Sequence, residues 1–170
     1  MKYRSVKEIN WTTWIPEQRV TLLFIIQNNQ ILLIHKKRGF GKGKINGPGG
    51  KIENGETPKQ CAIREVEEEL CITPTQITFA GKLYFQFIDG FSIEGDVFTA
   101  THFTGTPTET EEAIPIWFPL NNIPFEKMWE DDHTWFPYML NKQLFSGRYL
   151  FDEDRMIDAE LFLNENAKKI

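Results

Sequence analysis

Three glutamates on one predicted helix are the part of this sequence with the clearest chemical meaning. Glu65, Glu68 and Glu69 stand three and four residues apart, so a helix places their side chains next to one another. Like charges at these spacings destabilise a helix by roughly 0.2–0.5 kcal/mol per pair, and the helix dipole also disfavours them in the C-terminal half. A divalent cation relieves this repulsion, since Mg²⁺ binds carboxylates together with water and phosphate oxygens. The cluster therefore predicts a metal site for a phosphate-bearing substrate.

Glutamates on a helix are more often a solvated acidic face than a metal site, and that alternative stays open for the cluster alone. Three neighbouring features favour the metal. A glycine turn, Gly49-Gly50, precedes the helix, and a basic glycine-rich loop over residues 36–44 supplies cations. Arg64 adjoins the cluster, and Glu56 lies within plausible salt-bridge reach of it.

The helix that carries the glutamates is predicted from Thr57 to Leu70. Thr57 is expected to be the N-cap, with Pro58 at the first helical position and Gln60 closing a capping box. The apolar residues that share one arc of this helix are predicted to face the core: Ala62, Ile63, Val66 and Leu70.

Strand-like runs surround this helix. They lie near residues 20–26, 31–35, 77–88, 96–103, 114–118, 148–151 and 157–163, and a second helix is expected over Trp135–Leu144 with Pro137 in its first turn. Helices interspersed with many strands predict the α/β (α+β) class, a mixed sheet covered by helices. Residues 1–17 are interpreted as an N-terminal extension and residues 18–170 as a single domain.

The length, net charge, cysteine positions and apolar runs of the chain limit the classes of function that it can have. With 170 residues and a net charge of −5, the chain is unlike the basic domains that bind nucleic-acid polymers. Cys61 and Cys71 would lie roughly 15 Å apart along one helix, too far for a disulfide, so free thiols are expected. No run reaches the length of a membrane span, and the N-terminus lacks an apolar signal region. A cytoplasmic monomer that contacts no membrane is the expectation.

The segment from Gly50 to Ile72 resembles the Nudix box, Gly-x5-Glu-x7-Arg-Glu-(aliphatic)-x-Glu-Glu-x-Gly-(aliphatic). Cys71 departs from the expected glycine. A positive φ there costs a residue with a Cβ about 1 kcal/mol, so a slightly altered helix end is expected, with catalysis intact.

This resemblance implies an α/β/α sandwich with a mixed, curved central sheet, and hydrolysis of a nucleoside diphosphate linked to another group with Mg²⁺ or Mn²⁺. It assigns metal binding to the three glutamates, helped by the carbonyl of Gly49 and by a further acidic residue, Glu112. It also assigns Glu56 and Arg64 to the catalytic set, where they brace the junction of loop and helix. The general base, Glu65 or a neighbour, stays open.

A second resemblance runs from about Val20 to the C-terminus. Several segments outside the box are similar to the mammalian MutT-homologue group of oxidised purine nucleoside triphosphatases: 36–41, 46–47, 105–107, 117–118, 123–125 and 128–137. It implies conversion of substrates such as 8-oxo-dGTP and 2-hydroxy-dATP to the monophosphate and pyrophosphate, which cleans the nucleotide pool. Glu130 stands where that group has a proline.

By the same resemblance, four residues would read the purine: Asn46, Trp129, Asp131 and Asp132. Thr21, Lys36 and Phe40 are further candidates for binding the substrate. Two close aspartates cannot easily both ionise in an apolar slot, so one could keep its proton and donate to the base. The alternative is that the Asp pair caps a helix and that Trp129 belongs to the core.

Two other functions stay open. One is a Nudix hydrolase of another nucleotide, such as a dinucleotide polyphosphate, an ADP-sugar or an undamaged triphosphate. The other is a non-catalytic nucleotide-binding module on the same fold, although all three helix-face carboxylates are present.

Overall fold

The computed structural model describes residues 3–169, which form nine strands and two α-helices. In chain order these are β1 (Gln18–Gln27), β2 (Gln30–Lys36), β3 (Ile45–Asn46), β4 (Gly49–Lys51), α1 (Pro58–Leu70), β5 (Ile72–Phe87), β6 (Ser92–Gly105), β7 (Ala113–Pro119), α2 (Asp132–Leu140), β8 (Phe145–Asp152) and β9 (Arg155–Leu163). Short 3-10 turns occur at Val6–Glu8, Phe125–Lys127 and Asn164–Lys169. Among these described residues, no helix is both long and apolar enough to cross a membrane.

The described chain divides into two compact units. One contains residues 3–20, 80–96 and 130–169, and the other contains residues 21–79 and 97–129. Strands β1, β5 and β6 contribute residues to both. Residues 1, 2 and 170, which the predicted extension and domain include, lie outside the described residues.

The unit of residues 21–79 and 97–129 carries the glutamate helix. Its strands are hydrogen-bonded in the order β3-β2-β1-β6-β5, with β7 also paired to β2 and β4 to β1. β1 and β2 form an antiparallel hairpin whose turn residues, Asn28 and Asn29, both have positive φ. A two-residue turn of this kind matches the twist of the strands.

Helix α1 is anchored to the sheet of this unit by its apolar side. Ala62, Val66 and Leu70 are buried in one cluster with strand residues such as Leu23 and Leu32. Their burial removes apolar area from water at about 25 cal/mol per Å², which fixes the helix face that is turned away from the sheet. Ile63, which the periodicity also assigned to the core, is only half-buried.

The unit of residues 3–20, 80–96 and 130–169 has its strands in the order β6-β5-β8-β9. β5 and β8 run parallel, whereas β8 and β9 are antiparallel, so parallel and antiparallel pairs coexist. The predicted class, mixed α+β with a mixed sheet, is confirmed.

The second helix differs from its prediction. It starts at Asp132 rather than Trp135, ends at Leu140, and holds Pro137 in its interior rather than in its first turn. An acidic residue is favoured in the first turn by the helix dipole, which explains the earlier start. Because the helix has nine residues, the proline removes one main-chain hydrogen bond of a short series.

Residues 3–17 are packed within the same unit. Val6 and Ile9 are buried against Leu150, and the carboxylate of Asp158 accepts hydrogen bonds from Ser5 Oγ at 2.6 Å and from the N–H of Val6 at 2.9 Å. These bonds lower the pKa of Asp158, and the bond from Ser5 has the largest effect. The segment is therefore attached by both apolar and polar contacts.

Helix α1 ends at a strained residue. Cys71 has φ 60° and ψ 29°, the left-handed conformation that a glycine adopts at no steric cost, and its N–H donates to the carbonyl of Glu67. Replacing Cys71 with Gly should raise the free energy of unfolding by about 0.5–1 kcal/mol, because the relief of strain exceeds the added freedom of the unfolded chain. Urea unfolding measures this, with Cys71→Ala as the control that retains the strain. A Gly variant no more stable than the Ala variant would contradict the expectation.

Candidate active site

The start of α1 is fixed as the sequence predicted. Thr57 Oγ1 accepts a hydrogen bond from the N–H of Gln60 at 3.1 Å, and the side-chain oxygen of Gln60 accepts one from the N–H of Thr57 at 2.9 Å. Pro58 is the first helical residue. This capping box sets the rotation of the helix from its first turn, before the glutamates begin.

The glycine pair before the helix is required by close approach. A Cβ on Gly49 would overlap the carbonyl of Thr21, and a Cβ on Gly50 would overlap the carboxylate of Glu65. The main-chain N–H of Gly49 also donates to Glu69 Oε2 at 3.2 Å. β4 thus lies directly on two of the glutamates of α1.

Three carboxylates meet beside β4. One oxygen each from Glu65, Glu69 and Glu112 lie within 4.8 Å of one another. Glu112 reaches this place from the loop before β7, where its side chain also accepts a hydrogen bond from Arg38 at 2.7 Å. An isolated group of anions this close is unfavourable, so the cluster needs a positive charge or protons.

The pKa values of the buried carboxylates in this cluster are raised. Glu69 is 3% exposed, and its burial, with the charge of Glu65 added, raises its pKa to about 8. Burial likewise raises the pKa of Glu65. Lys36 lies near enough for its charge to act in the opposite direction on Glu69. Without a further cation, Glu69 is held largely as the neutral acid at pH 7.

Arg64 organises the other side of the cluster. Its Nε and Nη2 bind both oxygens of Glu56, at 2.7 and 3.0 Å, and its Nη2 also donates to the carbonyl of Lys51. The bond from Arg64 lowers the pKa of Glu56 to about 2. Nη1 of the same guanidinium binds Glu65 at 2.9 Å. The guanidinium therefore joins the loop to the helix, which is the arrangement that the spacing suggested.

Glu68 differs from its two neighbours. Its carboxylate pairs with Arg64 at 3.3 Å and its side chain is 50% exposed. It lies outside the carboxylate cluster among the residues that the structure describes. Of the glutamates assigned to the metal by resemblance, Glu65 and Glu69 are thus brought together with Glu112, and Glu68 lies beside them on Arg64.

These residues fit a divalent cation. The donor set of the cluster consists of oxygen atoms, which hard cations such as Mg²⁺ prefer. The raised pKa of the buried Glu69 indicates a shortage of positive charge at this point. A cation held by Glu65, Glu69 and Glu112 would remove that shortage. The carbonyl of Gly49 is a further candidate ligand, because it belongs to β4, which contacts Glu69 through the N–H of Gly49.

The residues predicted to bind the substrate have different surroundings within this unit. Thr21 is fully buried and its Oγ1 donates to Cys61 Sγ at 3.3 Å. Asn46 is half-buried, and its side-chain oxygen accepts a hydrogen bond from the N–H of Gly47 at 2.9 Å. The hydroxyl of Thr21 is therefore engaged with Cys61 under β4, whereas the amide N–H groups of Asn46 can serve as donors.

Trp129 lies under the loop between β2 and β3. The ring of Phe40 stacks on it with centroids 5.1 Å apart and planes 13° apart, and Lys44 Nζ lies 4.8 Å from its centroid. Phe40 is 51% exposed although it is large and apolar. Trp129 is only partly buried, which disfavours the alternative that it is a plain core residue.

Asp131 and Asp132 belong to the other unit, where they are 2% and 4% exposed at the start of α2. Asp131 occupies the N-cap position, but its side chain makes no capping bond. Its Oδ2 instead accepts a hydrogen bond from Trp135 Nε1 at 2.8 Å. Burial raises the pKa of Asp131 to about 6, despite this bond from Trp135. The carboxylate of Asp131 is thus bound to Trp135 rather than to the main chain at the start of the helix.

Asp131 should make stability depend on pH. Its pKa is raised above the ordinary value of 3.8, so its contribution is complete below pH 3.8 and is lost as the pH rises through 6. Asp131→Asn, which keeps an acceptor for Trp135, should gain at most about 3 kcal/mol relative to the parent chain between pH 4 and pH 7. Urea unfolding across this range measures the difference. The other titratable groups near Asp131 are the same in both proteins: Glu130, Asp132, His133 and Tyr149. A difference that does not change with pH would contradict it.

Sequence reasoning missed two contacts of the site. Cys61 Sγ lies 3.3 Å from the carbonyl of Lys51, and Trp135 binds Asp131. Each contact has a partial signal in the spacing. Cys61 is four residues before Glu65 and so lies on the helix face that meets β4, and Trp135 is four residues after Asp131 and so lies on its side of α2. Both cysteines are free, as predicted.

Comparison with known proteins identifies relatives over most of the chain. The oxidized purine nucleoside triphosphate hydrolase of Mus musculus is 41% identical over 143 residues, covering 83% of this chain and 92% of that protein. The protein of the same name from Danio rerio is 43% identical over 144 residues, covering 84% and 92%.

A solved structure and a family model also match the chain. The crystal structure of a MutT protein from Bacillus halodurans superposes with a TM-score of 0.77 at 25% identity, covering 85% of this chain and 97% of that one. The NUDIX domain model matches residues 16–139, a span that contains the carboxylate cluster, Trp129 and the Asp pair. As the Gly50–Ile72 segment indicated, the chain belongs to the NUDIX family.

Proposed function

We propose that this protein is a metal-dependent hydrolase that converts oxidised purine nucleoside triphosphates, such as 8-oxo-dGTP and 2-hydroxy-dATP, to the monophosphate and pyrophosphate. In the cell this activity would clean the nucleotide pool. The names of the two vertebrate relatives support the substrate class. Hydrolases of the NUDIX family generally need a divalent metal, and we propose Mg²⁺ or Mn²⁺.

The single observation that carries this proposal is the meeting of Glu65, Glu69 and Glu112 beside the Gly49-Gly50 turn. A buried acid with a pKa of about 8, in contact with a main-chain N–H, is unfavourable for a purely structural role. It is suited to holding a cation against a phosphate group. The chemistry that a bound divalent cation supplies there is neutralisation of phosphate charge and a lower pKa of a water molecule.

The chain's own groups have separate tasks in this reaction. We assign the holding of the cation to Glu65, Glu69 and Glu112, with Glu68 and the carbonyl of Gly49 as further candidates. Glu65, or a carboxylate beside it, accepts the proton of the attacking water. Arg64 keeps the loop and the helix together through Glu56. This division follows from the bonds of Arg64 to both.

We assign recognition of the oxidised base to Asn46, Trp129, Asp131 and Asp132. Trp129 is partly buried and already stacks on Phe40, and an aromatic ring in this place offers a base a stacking contact worth roughly 1–3 kcal/mol. The amide of Asn46 supplies donors, and a buried acid with a pKa of about 6 supplies either a donor or an acceptor near neutral pH. Thr21, Lys36 and Phe40 complete the proposed substrate-binding set. Phe40 contributes by its contact with Trp129, and Lys36 supplies a positive charge for the phosphate groups.

Pyrophosphate release from a substrate panel tests the proposal. The panel contains 8-oxo-dGTP, 2-hydroxy-dATP, dGTP, dATP, a dinucleotide polyphosphate and ADP-ribose, each with Mg²⁺, with Mn²⁺ and with EDTA. We expect the two oxidised triphosphates to have the highest kcat/KM and EDTA to abolish turnover. Equal kcat/KM for dGTP and 8-oxo-dGTP would exclude nucleotide sanitation. Tight nucleotide binding without metal-dependent turnover would instead indicate a non-catalytic module.

We further propose that the protein acts as a monomer in the cytoplasm. Its two cysteines are both free, which suits a reducing compartment. Light scattering at assay concentration tests the monomer, for which a mass of 19.9 kDa is expected, and cell fractionation tests the location.

A further inference from the structure

A stripe of side chains on α1 is in contact with β4. Cys61, Glu65 and Glu69 follow one another at intervals of four residues, so they lie along one face of the helix. Glu65 lies against Gly50, where no Cβ would fit, and Glu69 accepts the N–H of Gly49. Two successive turns of the helix therefore hold two successive residues of the strand.

Cys61 extends this stripe by one turn. Its sulfur lies 3.3 Å from the carbonyl oxygen of Lys51 and 3.6 Å from that of Gly50, and it accepts a hydrogen bond from Thr21 Oγ1 at 3.3 Å. Arg64 Nη2 lies 3.7 Å away. The side chain is fully buried. Burial raises the pKa of its thiol to about 11, so the S–H is retained as the donor to these carbonyl groups.

We propose that Cys61 is a positioning residue for the divalent-metal site, which it serves by fixing β4 against α1. This inference rests on the proposed metal-dependent function. Of the three contacts along the stripe, two use carboxylates that would bind the cation, whereas the contact of Cys61 does not compete with it. Cys61 therefore keeps β4 in contact with α1 when the carboxylates of Glu65 and Glu69 bind the metal.

The position of the strand matters because β4 supplies main-chain groups at the cluster. The carbonyl of Gly49, a candidate ligand, is in the peptide unit that leads into Gly50, whose own carbonyl faces Cys61. Thr21 adds to the effect, since its hydroxyl binds the same sulfur and its carbonyl lies against Gly49. Loss of the thiol frees β4 at one end and displaces the ligand geometry at the other.

Metal binding without nucleotide tests this directly. Calorimetric titration with Mn²⁺ should give a dissociation constant about tenfold higher for Cys61→Ala than for the parent chain, a usual effect of removing a group that supports metal ligands. Cys61→Ser, whose hydroxyl can still bind the carbonyl of Lys51, should restore most of the affinity. In turnover, Cys61→Ala should need about tenfold more Mg²⁺ for half-maximal rate.

Val66→Ala separates positioning from packing. Val66 is equally buried on α1 but faces the apolar cluster, so its truncation should lower the unfolding temperature and leave Mn²⁺ affinity unchanged. Cys71→Ser controls for loss of a thiol. Equal Mn²⁺ affinity in Cys61→Ala and the parent chain, or an equal loss in Val66→Ala, would overturn the proposal. Because Mn²⁺ binding is measured without hydrolysis, a failure of the substrate panel leaves this outcome readable.

Discussion

Replacing Glu69 with Gln is expected to lower kcat for the best substrate about a thousandfold, since a metal contributes several kcal/mol to such a transition state. Glu69 is the most buried member of the cluster with Glu65 and Glu112, and its raised pKa shows that it lacks a matching charge. An amide has no charge with which to hold a cation. The measurement is the initial rate of pyrophosphate release at saturating substrate, over a series of Mg²⁺ concentrations.

The same substitution should leave the fold intact. A Gln oxygen can still accept the N–H of Gly49, and the amide is uncharged, as the buried acid largely is at pH 7 without a cation. The unfolding temperature should therefore not fall, which separates a chemical loss from an unfolded protein. Glu67→Gln is the matched control, because Glu67 is an exposed glutamate of the same helix that binds Thr73. A Glu69→Gln variant with parental kcat and parental Mg²⁺ dependence would remove the basis of the proposed mechanism.

The local features of α1 were predictable because they depend on neighbours in sequence. Thr57, Pro58 and Gln60 determine the helix start within four residues, and the Glu56–Arg64 pair follows from its fixed spacing. Hairpin chemistry at Asn28-Asn29 is local in the same sense. Such features need no knowledge of the sheet order.

The remaining parts of the site depend on contacts between distant segments. Whether Glu68 or Glu112 joins the buried cluster is decided by where the loop before β7 runs and by the competition of Arg64 for Glu68. Spacing on one helix cannot show either. Likewise, the surroundings of Thr21 depend on the place of Cys61 under β4.

The aspartate pair leads to the second large effect, a change of base preference. Asp131→Asn and Asp132→Asn should each alter the ratio of kcat/KM for 8-oxo-dGTP to that for 2-hydroxy-dATP by about tenfold or more, since one hydrogen bond to a charged group contributes about 1.5–3 kcal/mol. Burial raises the pKa of Asp131 to about 6, so the parent pair can hold a proton or release it near neutral pH. An amide is a fixed donor and acceptor, so each variant loses that choice.

The direction of the pH effect sharpens this prediction. Below pH 6 the parent pair holds a proton and offers a donor to the base, and above pH 6 it loses that donor, so the substrate ratio should change through this range. In Asp131→Asn the ratio should become nearly independent of pH. Glu126→Gln is the matched control, because it removes an exposed carboxylate of the preceding 3-10 turn. If both Asn variants keep the parental ratio at every pH while they still hydrolyse the substrates, the two buried acids do not read the base, and their burial must serve the packing of Trp135 alone.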